Sequence, residues 1–268
     1  MTSKSKWLSA PYVLWSIVFI IIPLGMILYY GLTDKTGAFT LENIIAITTA
    51  GHAKALRLSV LLSLISTLVC FLLAYPLAMI LANTKTSKHH FIILIFILPM
   101  WMNFLLRTLA WQTLLEKNGV INSVLTFLNL PNLKIINTPA AIVLGMVYNF
   151  LPFMILPLYN VLSKIDTNVI NAAHDLGAGS VYTFIRIILP LSVPGIISGI
   201  TMVFVPALTT FVISTLLGGS KVLLIGNVIE QEFTQASNWH LGSGLSIVLM
   251  IFILINMVVT ALFEKEES

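Results

Sequence analysis

Uncharged stretches divide the chain. Runs without Lys, Arg, Asp, Glu or His extend from Trp7 to Thr33, Leu58 to Thr84, Ile135 to Ser163, Ile187 to Ser220 and Leu241 to Phe263. A shorter run, Phe91 to Leu106, continues past a lone Arg107 to Leu115. Crossing a hydrocarbon layer about 30 Å thick takes about 20 helical residues. The pattern predicts an all-α integral membrane protein with six transmembrane helices in a single domain covering residues 1–268. The spans fall at about 8–32, 56–82, 91–115, 139–162, 192–216 and 241–263. The fifth run exceeds one span, and its excess is expected along the interface before Pro194. The first run far exceeds the roughly 7–15 apolar residues of a signal peptide, so a retained helix is expected, with anchors among Trp7, Trp15, Tyr29 and Tyr30.

Five of the six predicted helices contain proline: Pro23, Pro76, Pro99, Pro152 with Pro157, and Pro206. Each removes a backbone hydrogen bond, and in lipid the freed carbonyl needs another partner. Ordinary kinking and a bundle bent around a water-accessible path both fit. Gly195 and Gly199 form a small-xxx-small pair in the fifth span, and Ser59, Ser63 and Ser66 mark one side of the second. These are helix-packing signals.

Composition agrees with the pattern. The chain is 58% hydrophobic and only 9% charged, with a mean hydropathy of +0.99. Soluble domains carry about 25% charged residues, which excludes a soluble enzyme, a disordered tail and a nucleic-acid binder. The 14 Lys and Arg give a net charge of +4 but are scattered in ones and twos, so no basic stripe exists for phosphate binding. Charge bias barely orients the chain. With both ends inside, seven basic residues (Lys4, Lys6, Lys85, Lys88, Lys164, Arg186, Lys265) face six outside (Lys35, Lys54, Arg57, Lys117, Lys134, Lys221). Only the short 82–90 loop favours this orientation. The single cysteine, Cys70, lies in an apolar run and reads as a packed thiol.

No catalytic constellation stands out. Gly218-Gly219-Ser220-Lys221 has the wrong spacing for a phosphate loop, and no G-x-x-x-x-G-K-[ST] or H-E-x-x-H occurs. His89-His90 reads as a solvated or headgroup-contacting pair, and no metal site is expected.

One loop is not a simple connector. Between the fourth and fifth spans, Asp166 or Thr167 can cap a short helix and Gly177 can end it in the left-handed conformation. Val169, Ile170, Ala173 and Leu176 share one face at helical spacing. A two-to-three-turn amphipathic helix over about 167–177 is expected, able to lie on headgroups or fill a partner's groove.

Asn171-Ala172-Ala173, three residues, Gly177, nine residues, then Ile187-x-Leu189-Pro190 is similar to the EAA loop of ABC importer permeases. The spacing matches throughout, with Asn171 in place of the usual Glu. Leu98-Pro99-Met100-Trp101, Leu151-Pro152-Phe153-Met154, Pro157-Leu158-Tyr159 and Gly218 to Ile229 resemble the spermidine/putrescine permeases of that family, closest to the first of their two permease subunits.

The resemblance implies a type I importer permease in a bacterial inner membrane, multi-pass, with both termini cytoplasmic. The short helix would be a coupling helix docked on a cytoplasmic ATPase dimer that binds ATP and Mg. A second homologous permease and an extracytoplasmic substrate-binding protein would complete the complex. This chain would then be non-catalytic, holding no cofactor. Asn171, Ala172, Ala173, Asp175, Leu176 and Gly177 would meet the ATPase, Asp175 supplying the acidic contact that Asn171 lacks. Arg186 and Pro190 would pass the motion to the fifth span, next to Ile187 and Leu189.

Path residues are expected among aromatics and acids, because a polyamine binds ring faces and carboxylates. Trp101, Tyr148, Phe153, Tyr159 and Phe211 lie on the third to fifth spans, and Glu230 and Glu232 lie outside with Asp34 and Glu42. Arg107 lies about 24 Å from the start of its run at 1.5 Å per residue, placing it to snorkel outward or serve an outer gate. No acid lies inside a span. A secondary transporter or channel would show mid-membrane ionisable groups or inverted repeats, and neither is found.

Overall fold

The computed structural model describes residues 11–83 and 89–266. Lys4, Lys6, Trp7, Lys85 and Lys88 lie outside the described residues, as do the side chains of His89 and His90. Among the described residues the regular structure is helical, with one isolated bridge between Thr33 and Phe39. Pro11–Gly31 (α1), Ala50–Asn83 (α2), His89–Trp101 (α3), Phe104–Leu115 (α4), Val120–Phe127 (α5) and Pro139–Leu162 (α6) come first. Thr167–Asp175 (α7), Ser180–Leu191 (α8), Val193–Thr209 (α9), Ile225–Thr234 (α10) and Trp239–Glu266 (α11) follow.

Four helices, α1, α2, α6 and α11, are each long and apolar enough to cross a membrane. Two bent pairs bring the number to six if each is one span: α3 with α4–α5, turning 99°, and α8 with α9, turning 63°. The second bend falls just before Pro194, where the surplus of the fifth run was expected.

Proline placement explains two irregular turns. A π-helical turn at Ile17–Ile21 precedes Pro23, and another at Phe184–Ile188 precedes Pro190, at the same offset. Proline lacks an N–H, and its ring collides with the carbonyl four residues back. One wide turn just before it moves that carbonyl away and lets Ile22 and Leu189 donate to Ile17 and Phe184 instead.

The described residues pack as two compact units, those within 1–55 and 228–254 and those within 56–227 and 255–268. In the first, the end of α1 presses on α11. A Cβ on Gly31 would lie 2.4 Å from Ile247 Cδ1, and one on Gly244 would lie 2.5 Å from the Asn43 carbonyl oxygen. Glycine is required at Gly244, where the neighbour is backbone, whereas at Gly31 the end of the Ile247 side chain would have to move. Asn43 Nδ2 donates to the Thr33 carbonyl at 3.0 Å, fixing the loop between them.

The second unit is built on α6, whose Ile142, Met146, Met154, Ile155 and Leu158 are fully buried. Gly195 and Gly199 of α9 lie against it; a Cβ would meet the Pro157 carbonyl at 3.0 Å and Met154 Sδ at 2.6 Å. The serine side of α2 is completely buried, with Ser59 Oγ accepting from Ile225 N at 2.8 Å and Ser66 Oγ donating to Met146 Sδ at 3.3 Å. Cys70 is buried in the same core.

Candidate functional site: the α7–α8 segment and the buried arginine

Helix α7 forms because both its ends are capped. Asp166 Oδ1 accepts from Asn168 N at 2.9 Å, satisfying an otherwise orphaned donor. At the far end Gly177 sits at φ +84°, with Gly177 N donating to the His174 carbonyl and Ala178 N to the Ala173 carbonyl, at 2.9 and 3.0 Å. This is a Schellman closure, and a Cβ at Gly177 would meet nothing within 4 Å. The glycine serves conformation rather than internal packing.

The expected apolar face is split. Ala173 is buried and Ile170 half-buried, whereas Val169 is 45% exposed and Leu176 89% exposed. Asn171, Ala172 and Asp175 are exposed as well. Ala173, Leu176, Gly177 and Ile187 line one cavity of about 550 Å³, joined by Tyr182 from α8. Three residues of the spacing motif, Ala173, Gly177 and Ile187, thus surround a single surface hollow with Leu176.

Arg186 and Pro190, expected to carry motion onward, are both exposed. The packed connection runs through neighbours that sequence reasoning missed. The Phe184 ring meets Tyr75 edge-on at 5.7 Å, Leu189 lies against the core, and Tyr75 OH shares a 2.8 Å hydrogen bond with Ser192 Oγ in the bend. Tyr75 itself lies in the core of α2. Its phenol in an apolar helix was the available signal.

Arg107 does not snorkel. It is 6% exposed, its Nε donates to Asn149 Oδ1 at 2.7 Å, and its Nη1 donates to the Pro99 carbonyl. The guanidinium carbon lies 5.8 Å from the Tyr148 ring centroid. The helix break explains the difference. Asn103 leaves helical geometry and caps α4 by accepting from Leu105 N and Leu106 N. The chain turns, and Arg107 reaches the C-terminal end of α3, where carbonyls favour a cation. Asn149, unremarked in the sequence, completes the clamp by donating Nδ2 to the Gly145 carbonyl at 2.8 Å.

The other path candidates are not gathered. Trp101 is 75% exposed and Phe211 43% exposed, whereas Phe153 and Tyr159 pack partly buried against the core. Tyr148 lines a cavity of about 640 Å³ with Leu62, Val69, Trp111, Val143 and Leu151, which none of the other candidates enters. Glu230 belongs to the other unit and accepts from Thr234 Oγ1 at 3.0 Å. Among the described residues no cluster of His, Cys, Asp or Glu could hold a metal ion.

The family model of the binding-protein-dependent transport system inner membrane component matches residues 2–265. The chain is 37% identical over 245 residues to the spermidine/putrescine transport system permease protein PotB of Haemophilus influenzae, covering 88% of this chain and 86% of that one. It is 38% identical to PotB of Escherichia coli K12, covering 88% and 89%. It is also 30% identical to the inner membrane ABC transporter permease protein YdcU of the same organism, covering 81% and 74%. Two solved structures share the fold. One is a bacterial ABC transporter involved in import of the acidic polysaccharide alginate, at TM-score 0.78 and 18% identity, covering 96% of both chains. The other is a bacterial alginate ABC transporter in complex with an alginate pentasaccharide-bound periplasmic protein, at 0.79 and 17%, covering 96% of this chain and 93% of that one.

Proposed function

This chain belongs to the family of binding-protein-dependent transport-system inner-membrane components, and from that membership we propose that it moves polyamines such as spermidine and putrescine. It is a multi-pass transport permease of an ABC importer. In the proposed complex it is the non-catalytic partner of a cytoplasmic ATPase dimer that binds ATP and Mg. A second homologous permease pairs with it, and an extracytoplasmic binding protein hands over the substrate. Both termini face the cytoplasm, which puts α7 on the ATPase side.

The observation that carries this reading is Leu176, 89% exposed at the end of a helix capped on both sides and beside the hollow it shares with Ala173, Gly177 and Ile187. A rigid, exposed apolar knob is what a partner's groove can grip, since ordering costs are already met before docking. Leu176 enters the ATPase, Ala172 permits close approach, and Asp175 supplies the acidic contact that Asn171 does not. ATP-driven closure pulls α7, and the Phe184–Tyr75 and Tyr75–Ser192 contacts transmit the pull into the membrane helices. Access then alternates between the two faces.

One observation favours a second reading of the substrate, another small solute. No acid lies within α1, α2, α6 or the described bent pairs up to Leu115 and Thr209, and the buried charge is the cation Arg107. Under the polyamine reading the second permease supplies the carboxylates. Affinity capture in mild detergent tests the class: a Walker-A ATPase is expected to co-purify, and its absence contradicts the importer complex. Competition of labelled putrescine by spermidine, in vesicles holding the binding protein, tests the substrate. Unlabelled amino acids competing better than spermidine would overturn it.

A further inference from the structure

The smaller unit contains a cavity that the proposed transport cycle leaves without a role. About 640 Å³ of space lies where the C-terminal end of α1 meets the first turn of α11, walled by Met26, Tyr30, Lys35, Asn238, Trp239 and His240. Its chemistry is divided between charge and grease. Lys35 is the one lining side chain with a fixed charge. The neighbouring Asp34 has its Oδ1 turned into its own loop. That oxygen accepts from Thr36 N at 2.8 Å, Thr36 Oγ1 at 2.6 Å and Ala38 N at 3.0 Å.

The aromatic wall is fixed in place. Tyr30 meets His240 edge-on at 5.3 Å and lies 6.4 Å from Trp239. His240 Nδ1 lies 3.0 Å from the Tyr30 carbonyl oxygen and 2.7 Å from that of Thr33. Carbonyls only accept, so Nδ1 carries the proton and the ring cannot flip without losing both bonds. The remaining nitrogen, Nε2, is the edge left for another partner. From the cavity outward, Met26 and, one helical turn before it, Ile22 are 47% and 50% exposed, and none of the apolar window of α1 is buried. A molecule with a charged end at Lys35 therefore finds a continuous apolar strip leading away from it.

We propose that this cavity holds an anionic phospholipid, its phosphate against Lys35 and Trp239 and an acyl chain along α1 past Met26. Trp and Tyr favour the membrane–water boundary because each has an apolar body and a polar tip. Phosphate oxygens accept charge-assisted bonds from Lys35, and the partial positive charge at the start of the 28-residue α11 adds to the same field. None of Trp101, Arg107, Tyr148, Phe153, Tyr159, Phe211 and Glu230 lines this cavity, so the site is separate from the path candidates. The inference needs the chain to be embedded in a membrane but not the polyamine reading.

The test is native mass spectrometry of the detergent-purified importer complex after exchange with equal phosphatidylglycerol and phosphatidylcholine. The wild type retains phosphatidylglycerol in preference, Lys35→Glu loses that preference by about tenfold, and Lys35→Arg keeps it. Equal retention of both lipids by the wild type overturns the proposal. So does a preference unchanged in a monodisperse Lys35→Glu complex. Inorganic phosphate that raises the melting temperature of the delipidated wild type as much as phosphatidylglycerol does would make the ligand a free anion and overturn the lipid assignment. Unchanged lipid retention with weakened capture of the binding protein would assign Lys35 to an acidic protein surface and do the same.

Discussion

Two bends in the larger unit meet the same physical problem with different chemistry. At each, a helix stops inside an apolar chain and leaves carbonyls without partners, which is costly away from water. The 99° bend between α3 and α4 is held by an ionised side chain: Arg107 binds the Pro99 carbonyl on one arm and Asn149 on the other. The 63° bend between α8 and α9 is held by hydroxyls. Ser192 Oγ donates to the Leu189 carbonyl at 2.8 Å and shares a bond with Tyr75 OH. A buried charge that loses its partner is strongly penalised, whereas a hydroxyl can rotate to another acceptor. The first bend is thus a fixed frame and the second a joint able to shift, and the joint adjoins α7.

The largest expected effect comes from stranding the charge. Asn149→Leu leaves the Arg107 Nε–H unpaired in a buried site and is expected to destabilise by about 3 kcal/mol or more, read from thermal unfolding in mild detergent. Arg107→Lys keeps the charge but loses the planar fork that reaches both Pro99 and Asn149, and about 1–3 kcal/mol is expected. At the other bend, Tyr75→Phe removes one neutral hydrogen bond while Ser192 keeps Leu189, and about 0.5–1.5 kcal/mol is expected. If Tyr75→Phe cost as much as Asn149→Leu, the distinction between frame and joint would collapse.

The smallest effect lies outside both bends. Asp34 is held below its ordinary 3.8 first by the Thr36 hydroxyl, then by the Thr36 and Ala38 backbone N–H groups. A lowered carboxyl stabilises the fold above its unfolded value and loses that contribution as pH falls through its folded value. Local amide exchange at Thr36 and Ala38 is therefore expected to rise only below about pH 3.8, leaving the two bends unaffected.

The unequal legibility of the two bends in the sequence has the same origin. Pro190, Pro194 and the surplus length of the uncharged run mark the second bend locally. The first has no Pro or Gly between Trp101 and Phe104, and its weak local sign is Asn103, a common helix cap. Arg107 was misplaced because counting residues along a straight helix ignores the turn, and its partner Asn149 lies 42 positions away on α6. The α7 helix was readable because caps, spacing and the left-handed glycine all act within a dozen residues. Its hollow was readable only in part, since Tyr182 joins it through the fold of α8. The division into two units depends on contacts across the chain and has no marker in the hydrophobic pattern.

The claim that α7 couples this permease to its energy source is tested most directly by Gly177→Asp. A side chain at Gly177 meets no atom of this chain within 4 Å, and Asp tolerates the left-handed backbone better than most residues. Folding and insertion should survive, so any loss must arise from what docks there. In vesicles containing the full importer and its binding protein, membrane levels of the variant are predicted to be normal and ATP-dependent uptake to be lost. Uptake at the wild-type rate would contradict the coupling role.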